Sequence, residues 1–587
     1  DPRFTGFTHV WVVTKDTPIR EFAPGENDTT ILYVTRGSKL YLQYLAQAKY
    51  LINNNTFPPY FVRRQGQQYL NTWHGTPLKT LGRKIKGGFM EHANATRNFL
   101  QATHILSPNR HTSRVLLEDY EVQGLFTGKL AETGYPRIDQ TLNPATARCV
   151  RRSLGLDSAG EQTEKPLEKI VLYAPTWRGT LQDVQLDADQ LLGDLKAMQQ
   201  PGVRLLFRGH HMQEAQLREL ELPELNVTVV PEHIDTNALL AAVDILITDY
   251  SSIFFDYLPL GRPVIYYAYD LEAYQQERGL NLDMASLPGD LCQTRKQLQS
   301  CLQAHLHQPQ LKGEQPQAQE QFYPHEDGQA SQRAIEFFFF GDDSYNYQPA
   351  ADSRKKLLFY QGNFIPNGIT SSFLSLLAHL DSRQYDISVV IDPNAIANFA
   401  DRLERLGQLP PHVRILPRIG HTLLSIEERW IDEQFSRIGS FTSPEQELIH
   451  AAAYQREYRR LFGEVHFDAV INFEGYVRFW VYTFATAPNS HKIIYLHSDM
   501  RKEQEERFPY LKNIFLYYHH YHRLACVSPS VTAENRIKLA THYGIQERAF
   551  VSVNNLIDAP AIIEKSKQPF PHTLQTWLEG AAGTIFV

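Results

Sequence analysis

The sequence predicts an α/β protein assembled from Rossmann-like units, and three observations carry that prediction. Short apolar runs such as residues 245–248 (ILIT) have the length and composition of strands buried on both faces of a parallel sheet. Such runs alternate with helical stretches along most of the chain. Several end in loops that present histidine, arginine or serine, the place where open α/β sheets hold their ligands.

Taken in order, residues 1–155 form the first unit. His9-Val10-Trp11-Val12-Val13 reads as a core strand, and further strands are expected at 31–34, 50–52, 69–72 and 104–107. Residues 156–166 (LDSAGEQTEKP) are a polar connection into a second unit that runs to residue 340. Its strands are expected at 170–174, 204–208, 227–230, 245–248 and 263–267. The Gln/Pro-rich stretch 308–322 is a solvated connection or a surface helix. A linker at 341–356 leads to a third unit, 357–587, with strands at 357–360, 387–391, 413–416, 469–472, 492–496 and 523–527.

Composition narrows the function classes. A length of 587 residues suits about four domains, and 42% hydrophobic with 21% charged residues describes globular material. A net charge of −7 gives no support for nucleic-acid binding. Phosphates would have to be met by local positive charge. The four cysteines, Cys149, Cys292, Cys301 and Cys526, are too scattered for a disulfide framework or a zinc site. No apolar run reaches the roughly 18–20 residues that span a bilayer, and no signal peptide is visible. Both ends are abrupt: Asp1-Pro2-Arg3-Phe4 is not a natural start, and Gly583-Thr584-Ile585-Phe586-Val587 breaks off inside what reads as a strand. The chain is therefore expected to be an internal fragment, and a membrane-binding segment outside it stays open.

Four strand-end loops carry the chemistry. Residues 244–269 read strand, tight turn, helix, strand, with Thr248-Asp249-Tyr250-Ser251-Ser252 at the turn. Ser251 or Ser252 can cap the helix, and a helix N-terminus with two added hydroxyls is a natural phosphate site. An ordinary capped helix would look the same. Upstream, residues 68–82 run from a strand into a Gly/Pro loop that presents His74 beside Gly75 and Thr76. Between them lie Tyr173-Ala174-Pro175-Thr176-Trp177-Arg178-Gly179 and Leu206-Phe207-Arg208-Gly209-His210-His211.

Together, in this order, these motifs resemble the CDP-glycerol glycerophosphotransferases, which polymerise or prime glycerol phosphate in teichoic acids and capsules. The resemblance covers roughly residues 7–291. It rests on WHGTPLKTLG (73–82), YAPTWRG (173–179), Arg208 with His210, TDYSSIFFDY (248–257), PVIYYAYDLEAY (263–274), Arg278-Gly279 and Leu287-Pro288-Gly289. Gly209 stands where many relatives carry proline, and His211 adds a second histidine; position favours His210 as the one facing the ligand.

The resemblance implies a GT-B arrangement, two Rossmann-like halves facing a cleft, with CDP-glycerol as donor, no other cofactor and no metal. Catalysis would fall to His74 as general base and to His210, which would add charge or donate to the leaving group. Arg208 would fork onto pyrophosphate oxygens, and Ser251 and Ser252 would bind the donor phosphate. Arg178 would reach the same phosphates or pair with a carboxylate. Asp256 would orient a histidine or arginine or touch the donor's ribose, and Asp249 would brace the turn. The acceptor would be a lipid-linked polyol-phosphate or glycan. The basic cluster Lys79, Arg83, Lys84 and Lys86 would meet polymer phosphates or anionic lipid, or be a solvated loop. This implies a cytoplasmic enzyme, peripheral on the inner face of a bacterial plasma membrane.

The third unit is similar to the acceptor-side half of a retaining glycosyltransferase, through residues 362–370, Tyr495-Leu496-His497-Ser498, Val527-Ser528-Pro529-Ser530 and residues 553–558. That family's donor-binding half would follow residue 587. Residues 508–518 are aromatic enough for an interfacial helix, but a core helix suits them better. Two alternatives remain beside glycerophosphate transfer. One is a CDP-ribitol or other polyol-phosphate donor, and the other a catalytically silent acceptor-binding scaffold.

Overall fold

The computed structural model describes residues 2–15, 31–156, 168–176, 178–179, 184–185, 187–209, 226–313 and 315–569. His210, His211, Trp177, most of the 156–166 connection and the expected strand at the C-terminal end lie outside the described residues. The chain divides into two compact units, Asp1–Ala351 with Arg459–Val465, and Asp352–Tyr458 with His466–Val587. The break at Ala351 falls inside the expected 341–356 linker.

The first unit opens with β1 (His9–Val13), paired in parallel only with β2 (Ile31–Thr35) among the described residues. The expectation of a core strand is corrected here: Trp11 is 61% and Val12 49% exposed. Among the described residues, no second layer covers its apolar side chains. Next comes a four-stranded parallel sheet, β3 (Tyr50–Asn53), β4 (Gln68–Asn71), β5 (His104–Ser107) and β6 (Lys129–Glu132), in that order.

The remaining strands of this unit are β7 (Lys169–Ala174), the short antiparallel pair β8 (Arg178–Gly179) and β9 (Val184–Gln185), β10 (Val203–Phe207), β11 (Val227–Val229), β12 (Ile245–Thr248), β13 (Val264–Tyr267) and β14 (Asp290–Cys292). Six of them build a parallel sheet in the order β11-β10-β7-β12-β13-β14. Side chains alternate across it. Ile245, Ile247, Val171, Tyr173 and Ile265 join the core on one face. Leu246, Leu172, Leu206 and Val264 join the core on the other. Burial on both faces is why these strands read as unbroken apolar runs, each fully buried side chain contributing about 1.5–3 kcal/mol. Because β10 and β11 flank β7 on one side and β12 to β14 on the other, the chain reverses direction between β7 and β12. That reversal opens a crevice at the carboxyl ends of these two strands.

The chain then returns to the first sheet. Ala334, Phe337 and Phe338 pack against Leu70, Leu106 and Ala131, and Tyr347 N–H donates to the Leu130 carbonyl at 2.8 Å. Residues 330–347, expected in the second half and the linker, are thus packed on the first half.

The second unit holds a seven-stranded parallel sheet with its own reversal. Its strands β15 (Lys355–Tyr360), β16 (Tyr385–Ile391), β17 (Arg414–Pro417), β18 (Ala469–Asn472), β19 (His491–Leu496), β20 (Arg523–Cys526) and β21 (Phe550–Ser552) lie in the order β17-β16-β15-β18-β19-β20-β21. Leu511, Ile514, Phe515, Tyr517 and Tyr518 are buried, so residues 511–518 are core, whereas Phe508 stays 36% exposed.

Candidate active site

The loop after β4 is shaped by one strained residue. Trp73 sits at φ 52, a left-handed conformation that costs a non-glycine residue about 1–2 kcal/mol. Its N–H donates to Asn71 Oδ1 at 2.9 Å, and its indole is buried against Phe99 and Tyr120. Those contacts hold the turn and aim His74 outward, its ring 4.1 Å from the indole.

His74 Nδ1 lies 2.9 Å from the Asn54 carbonyl. A carbonyl can only accept, so Nδ1 carries the proton and Nε2 the lone pair. Desolvation by the protein packed around the ring lowers the imidazole pKa below its ordinary value, and nearby Arg137 lowers it further, against the opposing Asn54 bond. His74 is therefore neutral at pH 7, with a free basic nitrogen at its exposed edge.

Gly75 lets the two halves of the unit close on each other. A Cβ at this position would stand 3.2 Å from Ser252 Oγ and 3.6 Å from Arg137 Nη2. Thr76, next in the loop, is buried, 3.5 Å from Asn109 Nδ2. Ser252 occupies the N-cap of the short helix Ile253–Tyr257, yet its side chain makes no capping bond. Ser251 Oγ accepts weakly from Ile253 N–H at 3.4 Å. The two hydroxyls expected at this turn are thus little used by the helix itself.

Arg137 was not anticipated. It follows β6 in the loop GYPRID, stacks on Tyr135 at 4.5 Å, and binds Asp256 through Nε at 2.7 Å and Nη2 at 2.9 Å. Asn237 Nδ2 adds a bond to Asp256 Oδ2 at 3.1 Å. The Asp256 carboxylate is consequently committed to Arg137 and Asn237. The rule used for the other loops, a cationic residue just past a strand end, would have found Arg137 had β6 been recognised.

Asp249 Oδ1 accepts the N–H of Thr176 at 2.8 Å and of Tyr250 at 2.6 Å. With Thr248 Oγ1 donating to the Ala174 carbonyl at 2.7 Å, it ties the loops after β7 and β12 across the reversal. Arg208 stands past the end of β10, and its Nη1 donates to the Ile234 carbonyl at 2.6 Å. Desolvation pulls its pKa down, with Asp235 and Glu232 opposing. Arg178 contributes backbone to β8. Among the expected residues, His74, Gly75 and Ser252 meet around Arg137; Asp249 and Arg208 follow β12 and β10, the two strands that flank β7 in the same sheet.

Behind Arg137 sits a second unanticipated group. Glu326 Oε1 accepts the Tyr135 N–H at 2.9 Å, while Oε2 is buried with no hydrogen-bond partner. Desolvation, outweighing the Tyr135 bond and reinforced by Asp256 and Asp139, pushes its pKa up to about 8. The carboxyl is protonated at neutral pH. The basic cluster is largely engaged by protein: Arg83 pairs with Glu121 at 2.5 Å, Lys84 with Asp119 at 2.6 Å, and Lys86 donates to the Gln275 and Gln276 carbonyls.

Residues 3–339 match the family described as CDP-Glycerol:Poly(glycerophosphate) glycerophosphotransferase. The chain belongs to this family. Among relatives of this glycerophosphotransferase family, it is 31% identical over 330 residues to a teichoic acid glycerol-phosphate transferase of Staphylococcus aureus, covering 52% of this chain and 80% of that one. It is 29% identical over 309 residues to a teichoic acid poly(glycerol phosphate) polymerase of Staphylococcus epidermidis, covering 49% of this chain and only 40% of the polymerase. The solved wall teichoic acid polymerase TagF aligns over 57% of this chain and 82% of its own, at 26% identity and a TM-score of 0.46. Among the described residues, no helix is long and apolar enough to cross a membrane.

Proposed function

We propose that the first unit transfers glycerol phosphate from CDP-glycerol to a hydroxyl of a teichoic-acid-like or capsular acceptor, releasing CMP. The observation that carries this reading is the fixed tautomer of His74, whose bare Nε2 shares one corner of the cleft with Arg137 and Ser252. In the reaction, the acceptor hydroxyl gives its proton to His74 Nε2 as its oxygen bonds to the phosphorus bearing glycerol. The bond from that phosphorus to the bridging oxygen breaks, and CMP leaves with the electron pair. Such transfers depend on positioning and on stabilising oxygen charge. Arg137 Nη2 and the Ser252 hydroxyl would bind the transferred group, with Ser251 assisting, a role supported by their convergence around Gly75. Arg208 would neutralise the CMP phosphate, and His210 would protonate it. The acceptor would be lipid-linked, which places the work at the inner face of the membrane. The second unit would serve as the acceptor-side half of a second glycosyltransferase, supported by its doubly wound parallel sheet.

The test is CMP release from CDP-glycerol with a glycerol-phosphate-primed lipid acceptor, wild type beside His74→Ala. Release that requires acceptor and is lost in the variant is expected. Faster release from CDP-ribitol would move the donor assignment, and release unchanged in His74→Ala would overturn the base.

A further inference from the structure

The second unit carries a cluster of possible metal ligands remote in sequence from every motif above. His519 and His520 end the 3-10 turn Tyr518–His520, and Glu447 lies in the first turn of the helix Pro444–Phe462. Glu447 Oε1 stands 3.8 Å from His519 Nε2 and 3.9 Å from His520 Nε2. One ligand atom from each of the three residues falls within 4.8 Å of the others.

These separations are too long for hydrogen bonds, so the groups converge without bonding one another. They suit a shared ion. Ligands about 2.1 Å from a tetrahedral zinc lie roughly 3.4 Å apart, so Glu447 needs to close on each histidine by about half an ångström. Glu447 and His519, with side chains 40% exposed, are free to make that adjustment. His520 supplies the fixed point: its Nε2 is buried and has no hydrogen-bond partner. The ammonium of Lys492 acts on the His520 ring. Two imidazoles and one carboxylate leave a fourth position open to water or a ligand, the donor set of zinc and related divalent ions. Lys492 opposes a cation here and sets a limit on affinity.

We propose that Glu447, His519 and His520 form a binding site for a divalent transition-metal ion of the zinc type. The test uses the full chain, titrated with Zn²⁺ alone by calorimetry, with thermal unfolding followed with and without the ion. One tight equivalent and a raised Tm are expected. His520→Ala and Glu447→Gln should each weaken that equivalent by at least about tenfold, while keeping the metal-free Tm within a few degrees of wild type. His491→Ala, which alters the neighbouring imidazole stacked on His522 at 4.7 Å, should leave it unchanged. No saturable equivalent in the wild type would overturn the proposal. So would binding that survives Glu447→Gln and His519→Ala, since the 23 histidines of the chain would then account for it.

Discussion

Arg137 and Asp256 meet in a two-pronged ion pair, 2.7 and 2.9 Å, that joins the loop after β6 to the helix after β12. The carboxylate is almost fully buried, while the arginine keeps about a third of its side chain exposed, at 32%. The acid is thus spent on holding the guanidinium beside Gly75 and Ser252. Asp256→Asn keeps the shape and removes the charge. It should cost roughly 2–3 kcal/mol of stability, discounted from a fully buried pair for the exposed arginine. Urea unfolding measures that loss. CMP release should fall by about a hundredfold, the cost of a displaced binding group.

His74→Ala should lower transfer about 10²–10⁴-fold, the range for a lost general base, while calorimetric binding of CDP-glycerol persists. The rate should also fall with acid, because protonation of Nε2 removes the base. As burial places that pKa below the ordinary 6.5 or so of histidine, the acid limb belongs below about pH 6.5. A limb centred above pH 7 in the wild-type rate profile would contradict the assignment.

Gly75→Ala places a methyl 3.2 Å from Ser252 Oγ. That contact is tight enough to push the serine away, at about 1 kcal/mol. Replacing Ser252 by alanine as well removes the colliding hydroxyl. The double variant should therefore be more stable than the sum of the single changes, a coupling that thermal unfolding of all four proteins detects.

Glu326 contributes a pH dependence of opposite sign to an ordinary surface carboxylate. Its native pKa of about 8 lies above the ordinary value of 4.5. Between these two pH values the unfolded chain has released the proton and the native one retains it, so stability falls as pH rises through the window. Glu326→Gln has no proton to lose. Its Tm should match wild type near pH 4.5, exceed it increasingly up to about pH 8, and keep a constant lead above that.

The sequence revealed most of the sheet because doubly buried strands leave an unmistakable apolar run; residues 104–107, 245–248 and 469–472 are strands within those bounds. It hid β6, where only Leu130 and Ala131 are buried apolar residues, and Arg137 was lost with it. His9–Val13 misled in the other direction, since apolar content does not say whether a second layer arrives. For the basic cluster, the decisive partners Asp119 and Glu121 lie some 35 residues downstream and have no local signature. The Asn54 carbonyl that fixes the His74 tautomer is backbone, and no side-chain pattern could have shown it.

The end of the histidine loop is sewn to the far half of the cleft. Thr80 N–H and Oγ1 donate to the Gly279 and Arg278 carbonyls, and Asn281 returns bonds from its N–H and Nδ2 to the Leu78 and Lys79 carbonyls. A Cβ on Gly279 would collide with the Thr80 side chain at 2.9 Å. This edge of the cleft is therefore a closed selvedge, stitched independently of the Arg137–Asp256 pair. His74 lies four residues before the first stitch, the Leu78 carbonyl. The loop that carries the base is thereby anchored to the other half by backbone, whatever the side chains in the cleft do.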